Sequence, residues 1–394
     1  MKKTFYLLFL LLAGPVALFA QTNLTDSLLH QNLQRLFMVH LPPGFSSSQQ
    51  RALVVNLHGG SGNMVSAQGF SQMNPVADQN NFVVAWPQGI GVAAPGFSWA
   101  DGRNTSADQA GIDDIGFIHR LVDTMVRRFN IDSNRIYLCG FSNGGFMVQR
   151  LACQSPGKFA AMASLGASMD TGLYRQCAPV RLVPMAFFNG TADPAMPYNG
   201  GAMQNPLVKP VVPVDSAVLS WVRRNQCQQA QPVFNFPDLF VGDSSTAQLF
   251  RYSQCACQSE VLFYKLINGG HTWPGVFVPG QAAVLGNTNR DIQASVELWQ
   301  FFNAHPRCQT ASSVQTKAAY LPLKVYPVPA NDWVQLALPE ANEGKLELRD
   351  TQGRLVKQMA MVDGFSVADL PAGLYHLVLL GAESMYAAKV VVQR

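Results

Sequence analysis

Apolar positions between residues 30 and about 306 form short, nearly uninterrupted runs, separated by longer stretches in which apolar and polar residues alternate. Continuous apolar runs are expected in strands whose two faces are both buried, as in a parallel sheet. The pattern therefore predicts five such strands, ALVVNLHGG (52–60), FVVAWPQG (82–89), RIYLCG (135–140), LVPMAFFNG (182–190) and VLFYKLINGG (261–270).

Two of the intervening stretches predict helices. DDIGFIHRLVDTMVRRFN (113–130) carries apolar residues at helical spacing, and Asp113 or Asp114 can cap its start. DIQASVELWQFFNAH (291–305) has the same character. Alternating strands and helices are typical of an α/β fold with a mostly parallel sheet.

The pattern changes after Cys308. Residues 309–320 are small and polar, as in a linker. Short alternating segments such as DWVQLAL and LYHLVLL follow, and the turn signals DTQG and PAG separate two pairs of them. We therefore expect an α/β domain over 21–308 and a separate, sandwich-like all-β domain over 321–394.

The first twenty residues, MKKTFYLLFLLLAGPVALFA, place two lysines before an apolar run and small residues after it. This layout predicts a signal peptide over 1–20, cleaved after Ala20. A membrane anchor is the alternative, but the run is short and a Gly-Pro pair at 14–15 interrupts it. No other stretch approaches 18 apolar residues, so we expect a secreted mature chain without a transmembrane segment.

The amino-acid composition limits the classes of binding partner that we expect. The net charge is +4, charged residues make up 13%, and no block of five basic residues occurs, so nucleic acid is not an expected partner. Export permits disulfides among the seven cysteines, and we expect Cys153–Cys177 and Cys227–Cys255, with Cys139 a buried thiol. The C-x-C spacing at 255–257 lacks a matching pair for zinc, and no metal or nucleotide motif predicts a cofactor.

The tripeptide Gly-Phe-Ser occurs five times, beginning at residues 44, 69, 96, 140 and 364. Only the copy at 140 completes G-x-S-x-G, as Gly140-Phe141-Ser142-Asn143-Gly144. It also stands between a predicted strand and an apolar segment suited to a helix, which is the setting that a nucleophile elbow requires. Ser142 is therefore the predicted nucleophile.

A serine nucleophile needs a base and an acid that orients the base. His271 follows the last predicted strand in a sharp loop, NGGHTWPG, and is the predicted base. Asp193 follows the strand 182–190 directly and is the predicted acid. Asp170, Asp215 and Asp243 are the alternatives.

The tetrahedral intermediate of acyl transfer needs two aimed donors. The glycines that end LHGG offer the amide of Gly60 or of Ser61, and Asn143 offers the amide next to the nucleophile. His58 is then a structural anchor. The aromatic residues Trp99 and Trp273 of the motif loops either bind substrate or pack in the core.

NLHGGSGN, GIDDIGFIHRLVD, FNIDSNRIYLCGFSNGGFM, NGTADPAMPY and GGHTWPG together resemble the polyhydroxybutyrate depolymerase family of secreted α/β-hydrolase esterases, which is related to feruloyl and acetylxylan esterases. The resemblance covers about residues 30–306. It implies an α/β-hydrolase fold and a catalytic triad at Ser142, Asp193 and His271.

The C-terminal segments VYPVPANDWVQLAL, DTQGRLV and LPAGLYHLVL resemble the sorting domain of type IX secretion cargo. This resemblance implies the type IX machinery as a partner and a location outside the cell or on its surface.

The sequence thus predicts a serine ester hydrolase acting on hydroxyalkanoate or hydroxycinnamoyl esters, either small or attached to a polymer. An acetylxylan esterase, or a peptidase or amidase with the same triad, is the alternative. A non-catalytic surface binding protein is a further alternative, but it would be expected to have lost a triad residue.

Overall fold

The computed structural model describes residues 22–92, 96–307, 321–337, 344–350, 355–360, 362–381 and 385–393. The chain divides into two compact units, one within residues 1–308 and one within 309–394. The predicted signal peptide and the predicted linker over 309–320 lie outside the described residues, as does Cys308.

The first unit contains strands and helices in alternation. Its strands are β1 (Thr22–His30), β2 (Leu33–Leu41), β3 (Arg51–Leu57), β4 (Val83–Pro87), β5 (Ile131–Phe141), β6 (Ala161–Leu165), β7 (Met185–Gly190), β8 (Gln229–Ala230), β9 (Phe234–Asn235), β10 (Thr246–Ser253) and β11 (Val261–Ile267). Its helices are α1 (Met64–Ser71), α2 (Met73–Asn80), α3 (Ser106–Gln109), α4 (Asp114–Phe129), α5 (Asn143–Gln154), α6 (Thr171–Gln176), α7 (Val214–Arg224), α8 (Ala282–Leu285) and α9 (Ala294–Ala304).

These strands form one sheet in the order β1-β2-β4-β3-β5-β6-β7-β11-β10-β8, with β9 also paired to β10. The six strands from β4 to β11 in that order are parallel, whereas β1, β2, β10 and β8 join antiparallel at the margins. The predicted α/β class, with a mostly parallel sheet, is confirmed. The sequence pattern did not predict the marginal strands, because β1 and β10 are only partly buried and lack continuous apolar runs.

The sheet is apolar on both faces because successive residues of its central strands enter different cores. Leu53 and Val55 of β3 lie in one buried cluster, and Val54 between them lies in the other. Helices α4, α5 and α7 supply the first cluster, and α2 and α9 supply the second. Each fully buried large side chain contributes about 1.5–3 kcal/mol, so burial of the two clusters is a large favourable term in the folding of this unit.

Helix α4 begins where the sequence predicts it. The Asp113 side chain accepts a hydrogen bond from the Gly116 amide at 2.8 Å, which caps the helix. The next residue, Asp114, is buried and accepts from Arg35 Nη2 at 2.5 Å and from the Ala100 amide at 2.7 Å. This buried ion pair therefore joins β2, α4 and the loop at residue 100, and removing one partner would cost about 3–5 kcal/mol.

Two predicted disulfides are present, Cys153–Cys177 and Cys227–Cys255. Cys139 is a free, buried thiol, as expected, and burial raises its pKa well above the ordinary value. Its position inside β5 and its raised pKa make it unreactive at neutral pH.

The second unit is all-β, as predicted. Its strands are β12 (Leu321–Pro322), β13 (Lys324–Tyr326), β14 (Trp333–Ala337), β15 (Gly344–Asp350), β16 (Leu355–Ala360), β17 (Gly364–Ser366), β18 (Gly373–Gly381) and β19 (Met385–Val392). They form a five-stranded sheet, β12-β19-β18-β15-β16, and a three-stranded sheet, β13-β14-β17. Val334 and Phe365 of the smaller sheet share one apolar cluster with Leu348 and Leu377 of the larger sheet. Across the described part of both units, no helix is long and apolar enough to cross a membrane.

The first unit should fold without the second. Each unit has its own apolar core, so deletion of residues from 312 onward should leave the thermal unfolding midpoint of the α/β unit within a few degrees of its value in the full chain. Differential scanning calorimetry of both proteins measures this. Aggregation of the shortened protein, or a loss of its cooperative transition, would show that the boundary is wrong.

Candidate active site

Ser142 stands in a strained turn between β5 and α5. Its backbone has φ 55° and ψ −119°, outside the regions that ordinary residues adopt. A Cβ atom at position 140 would lie 2.5 Å from the Gly144 backbone, and one at position 144 would lie 2.6 Å from the carbonyl oxygens of Leu57 and His58. Only glycine fits at either position, which is the physical reason for the G-x-S-x-G spacing.

The structure brings the three predicted residues of the triad together. His271 Nε2 lies 2.9 Å from Ser142 Oγ, and His271 Nδ1 lies 2.6 Å from Asp193 Oδ2. The remaining carboxylate oxygen of Asp193 accepts from the amides of Ala195 and Met196, both at 2.8 Å. With Asp193 held in this way, the imidazole can accept the serine proton at Nε2 while its Nδ1–H donates to the carboxylate.

Strand pairing explains this meeting of distant residues. Asp193 follows β7 and His271 follows β11, and these strands are parallel neighbours in the sheet. Ser142 follows β5 at the same edge. The carboxyl ends of parallel strands meet at one edge, where sites of α/β proteins are built.

The two predicted oxyanion donors are adjacent. A Cβ atom at Gly60 would lie 3.6 Å from the Asn143 Cβ. The amide of Asn143 belongs to the first residue of α5 and has no intrahelical acceptor. The backbone of Gly60 therefore lies close to Asn143, the residue that follows Ser142.

A cavity of about 280 Å³ is lined by Gly59, Gly60 and Phe141, which lie close to Ser142, although Ser142 and His271 are not themselves among its lining residues. Phe70, Phe141, Trp273 and Leu285 form apolar walls, and the Phe70 ring lies 5.0 Å from that of Phe141 and 6.4 Å from that of Trp273. His58, Gly59 and Gly60, which we call the HGG segment, line the cavity as well. A Cβ atom at position 59 would lie 3.4 Å from the Ser142 Cβ.

Comparison with known proteins identifies two matching family models and several relatives of this chain. The family model described as esterase PHB depolymerase matches residues 36–172, and a secretion system C-terminal sorting domain matches residues 324–393. The chain is 27% identical over 273 residues to a putative esterase, NocK, of Nocardia uniformis, covering 66% of this chain and 77% of that protein.

The chain is also 28% identical to feruloyl esterase B of Piromyces equi, over 60% of this chain but only 42% of the fungal protein. A solved acetyl xylan esterase from Aspergillus awamori aligns with a TM-score of 0.44 and 13% identity, over 66% of this chain and 97% of that one.

The chain resembles the esterase PHB depolymerase family over residues 36–172. With relatives that are named esterases, it is a carboxylic ester hydrolase, and its C-terminal sorting domain makes it a secreted or cell-surface protein.

Trp99, one of the two aromatic residues considered for substrate binding, packs in the core of the α/β unit. Trp99 of the esterase is fully buried and is not among the residues that line the cavity. Its indole N–H donates to the His58 carbonyl at 2.9 Å, its amide donates to Asn143 Oδ1 at 2.7 Å, and its carbonyl accepts from Asn143 Nδ2 at 3.2 Å. These contacts favour the core-packing alternative for Trp99, whereas Trp273 lines the cavity.

A network of buried polar side chains continues from Asn143. Its side-chain Nδ2 also donates to Asp101 Oδ2 at 2.6 Å, and Asp101 pairs with Arg103 at 2.6 Å. The Arg103 guanidinium lies 3.4 Å from the centre of the Phe146 ring. No local motif predicts this network, because its longer contacts join residues about 40 positions apart in the sequence.

The alternative acids are engaged elsewhere. Asp170 caps α6 through the amides of Gly172 and Leu173. Asp215 accepts from the Tyr198 hydroxyl at 2.8 Å, and Asp243 accepts from the amides of Ser245 and Arg290.

His58 has the contacts of a neutral anchor. Its Nε2 accepts from the Gly89 amide at 2.9 Å, so its proton is on Nδ1, which donates to the Gly59 carbonyl at 2.7 Å. Burial lowers its pKa to about 4.

The His58 pKa predicts a pH dependence of stability. The unfolded imidazole binds a proton near pH 6.5 and the folded one only near pH 4, so the stabilisation is complete above pH 6.5 and declines as the pH falls toward 4. This residue should account for roughly 3 kcal/mol of lost unfolding free energy over that range. Urea titrations at several pH values measure it, and His58→Gln should show a shallower slope. Parallel curves for the two proteins would contradict the assignment.

Proposed function

We propose that this esterase hydrolyses its substrate through a covalent acyl-enzyme on Ser142, with His271 as general base and acid and Asp193 as the residue that orients it. The observation that carries the proposal is the continuous hydrogen-bond chain from Ser142 Oγ through both ring nitrogens of His271 to Asp193 Oδ2. A serine hydroxyl is a weak nucleophile by itself, and an adjacent oriented base activates it.

The chemistry proceeds in two stages. Ser142 Oγ attacks the ester carbonyl carbon and its proton passes to His271 Nε2, which then protonates the leaving alcohol oxygen. Water next attacks the acyl-enzyme, gives its proton to the same nitrogen, and releases the acid with Ser142 restored. Asp193 keeps its charge and stabilises the imidazolium through the Nδ1–H bond.

In both stages the carbonyl oxygen gains negative charge, and the amides of Gly60 and Asn143 are the proposed donors to it. Trp99 supports this role as a positioning residue. Its indole bond to the His58 carbonyl and its two backbone bonds to the Asn143 side chain join the segments that bear the two amides.

We propose that the cavity lined by Gly59, Gly60 and Phe141 holds a short or monocyclic acyl group. Its volume of about 280 Å³ is close to the lower limit of small-molecule sites, roughly 300 Å³. Aromatic walls favour an apolar or aromatic acyl chain over a phosphate. We propose hydroxyalkanoate or hydroxycinnamoyl esters as substrates, in keeping with the feruloyl esterase named among the relatives.

An acetylxylan esterase is the alternative, since a relative from Neocallimastix patriciarum carries that name. An acetyl group would leave most of the cavity empty, and a lack of rate gain from longer acyl groups would favour this alternative. A peptidase or amidase would use the same three side chains, and hydrolysis of matched anilides tests it.

We also propose the second unit as the part recognised by the type IX secretion machinery. The match to a secretion system C-terminal sorting domain over residues 324–393 supports this role.

Ser142→Ala should lower kcat for p-nitrophenyl butyrate by about 10⁴-fold or more, because no other side chain can form the acyl-enzyme. The fold should persist, since a methyl group fits where the hydroxymethyl group was. Initial rates and the circular dichroism spectrum of both proteins measure this.

The matched controls are Ser46→Ala and Ser366→Ala, which alter other copies of Gly-Phe-Ser and should keep the parent activity. Triolein should be hydrolysed poorly by the parent. Activity of Ser142→Ala within tenfold of the parent would refute the nucleophile, whereas rapid triolein hydrolysis would refute only the substrate class.

A further inference from the structure

Two residues that line the cavity next to Gly59 and Phe141 each have one buried amide atom without a hydrogen-bond partner among the described residues. Asn56, near the end of β3, is 1% exposed, and its Nδ2 has no hydrogen-bond partner among the described residues. Gln281, which immediately precedes α8, lines the same cavity, and its buried Oε1 also lacks a partner in the described part of the chain.

Such groups are costly. A buried polar atom without a partner destabilises a fold by about 1–3 kcal/mol, and most buried polar atoms in folded proteins have partners. Here the cost arises in a cavity whose other walls are the apolar side chains of Phe70, Phe141 and Trp273. A ligand with a neutral polar group can supply the partner that each of these two atoms lacks.

The Gln281 side chain extends from a fixed backbone. The Gln281 amide donates to the Val278 carbonyl, and the Gln281 carbonyl accepts from the amides of Val284 and Leu285. The Leu285 carbonyl in turn accepts from the His271 amide. The segment that presents Gln281 is therefore tied to the base of the proposed triad.

We propose that Asn56 and Gln281 bind a hydroxyl group carried by the acyl part of the substrate, and so select hydroxylated acyl esters over their deoxy counterparts. This inference rests on the proposed function. A hydroxyl both donates and accepts, so it can satisfy an amide oxygen and an amide nitrogen together, whichever way each amide is turned.

The electrostatics of the cavity exclude charged alternatives. No Asp, Glu, Lys or Arg lines it, and His58, which does, is neutral above its pKa of about 4. A carboxylate or an ammonium group would lose its hydration there without gaining an opposite charge. A neutral polar group is the one that both amides can bind.

The experiment compares kcat/KM for two matched ester pairs: methyl 4-hydroxycinnamate with methyl cinnamate, and p-nitrophenyl 3-hydroxybutyrate with p-nitrophenyl butyrate. The parent should favour the hydroxylated member of at least one pair by about tenfold or more, since a buried amide left unpaired costs that much. The pair that shows the preference identifies the source of the hydroxyl, an aromatic ring or a short alkanoate.

Asn56→Leu and Gln281→Met, which keep size and remove polarity, should each abolish most of this preference. The rate on the hydroxylated ester should fall, and the rate on the deoxy ester should stay within about threefold or rise, because the apolar cavity is then better matched to it. Ser66→Ala is the control: it also removes a polar atom from the lining, but this hydroxyl already bonds to Asn63, so the ratio should not change.

Equal rates of the parent on both members of both pairs would overturn the inference and leave the ester hydrolase intact. A preference for a hydroxyl on the alcohol side, tested with glyceryl against propyl butyrate and absent from both acyl pairs, would overturn it as well. Failure of the parent on every ester would instead refute the proposed function. Retention of the preference in both variants would overturn its assignment to Asn56 and Gln281, and if a variant misfolds, the preference of the parent still tests whether a hydroxyl is selected.

Discussion

The site depends on one constraint, the tight turn that holds Ser142 at positive φ between β5 and α5. The turn closes only because Gly140 and Gly144 have no side chains, and Gly144 lies directly against the carbonyls of Leu57 and His58 at the end of β3. The ends of the adjacent parallel strands β3 and β5 are thereby held in contact. Ser142 follows β5, and the HGG segment follows β3. A larger residue at either glycine would separate the serine from the segment that carries the proposed oxyanion donor.

Buried polar contacts connect this turn to the surrounding strands and helices. Asp114 holds the loop at Ala100 and is itself paired with Arg35, so the loop that carries Trp99 is fixed to β2 and α4. Trp99 then binds the HGG segment with its indole and α5 with its backbone. Two helices and three strands thus restrict the geometry at Ser142, and such restriction is the basis of electrostatic preorganisation.

The sequence predicted those features that local spacing determines. The G-x-S-x-G turn, the glycine loop before His271 and the position of Asp193 after β7 follow from short motifs at strand ends, and parallel pairing then brings them to one edge. The role of Trp99 could not be predicted in this way, because burial and partners decide it and both come from residues about 40 positions away. Asn56 resembles an ordinary strand residue in sequence, and Gln281 lies in a segment without a recognisable period; only their shared cavity relates them.

The most direct test of the account is to identify the residue that becomes acylated or phosphonylated. The protein is treated with a p-nitrophenyl alkylphosphonate, which transfers its phosphonyl group to an activated serine and releases p-nitrophenol. The peptides of the treated protein are then mapped by mass spectrometry. The account predicts a stoichiometric adduct on the peptide containing Ser142 and little adduct in His271→Ala, in which the hydroxyl has lost its base. An adduct on another Gly-Phe-Ser serine, or undiminished labelling of Ser142 without His271, would contradict it.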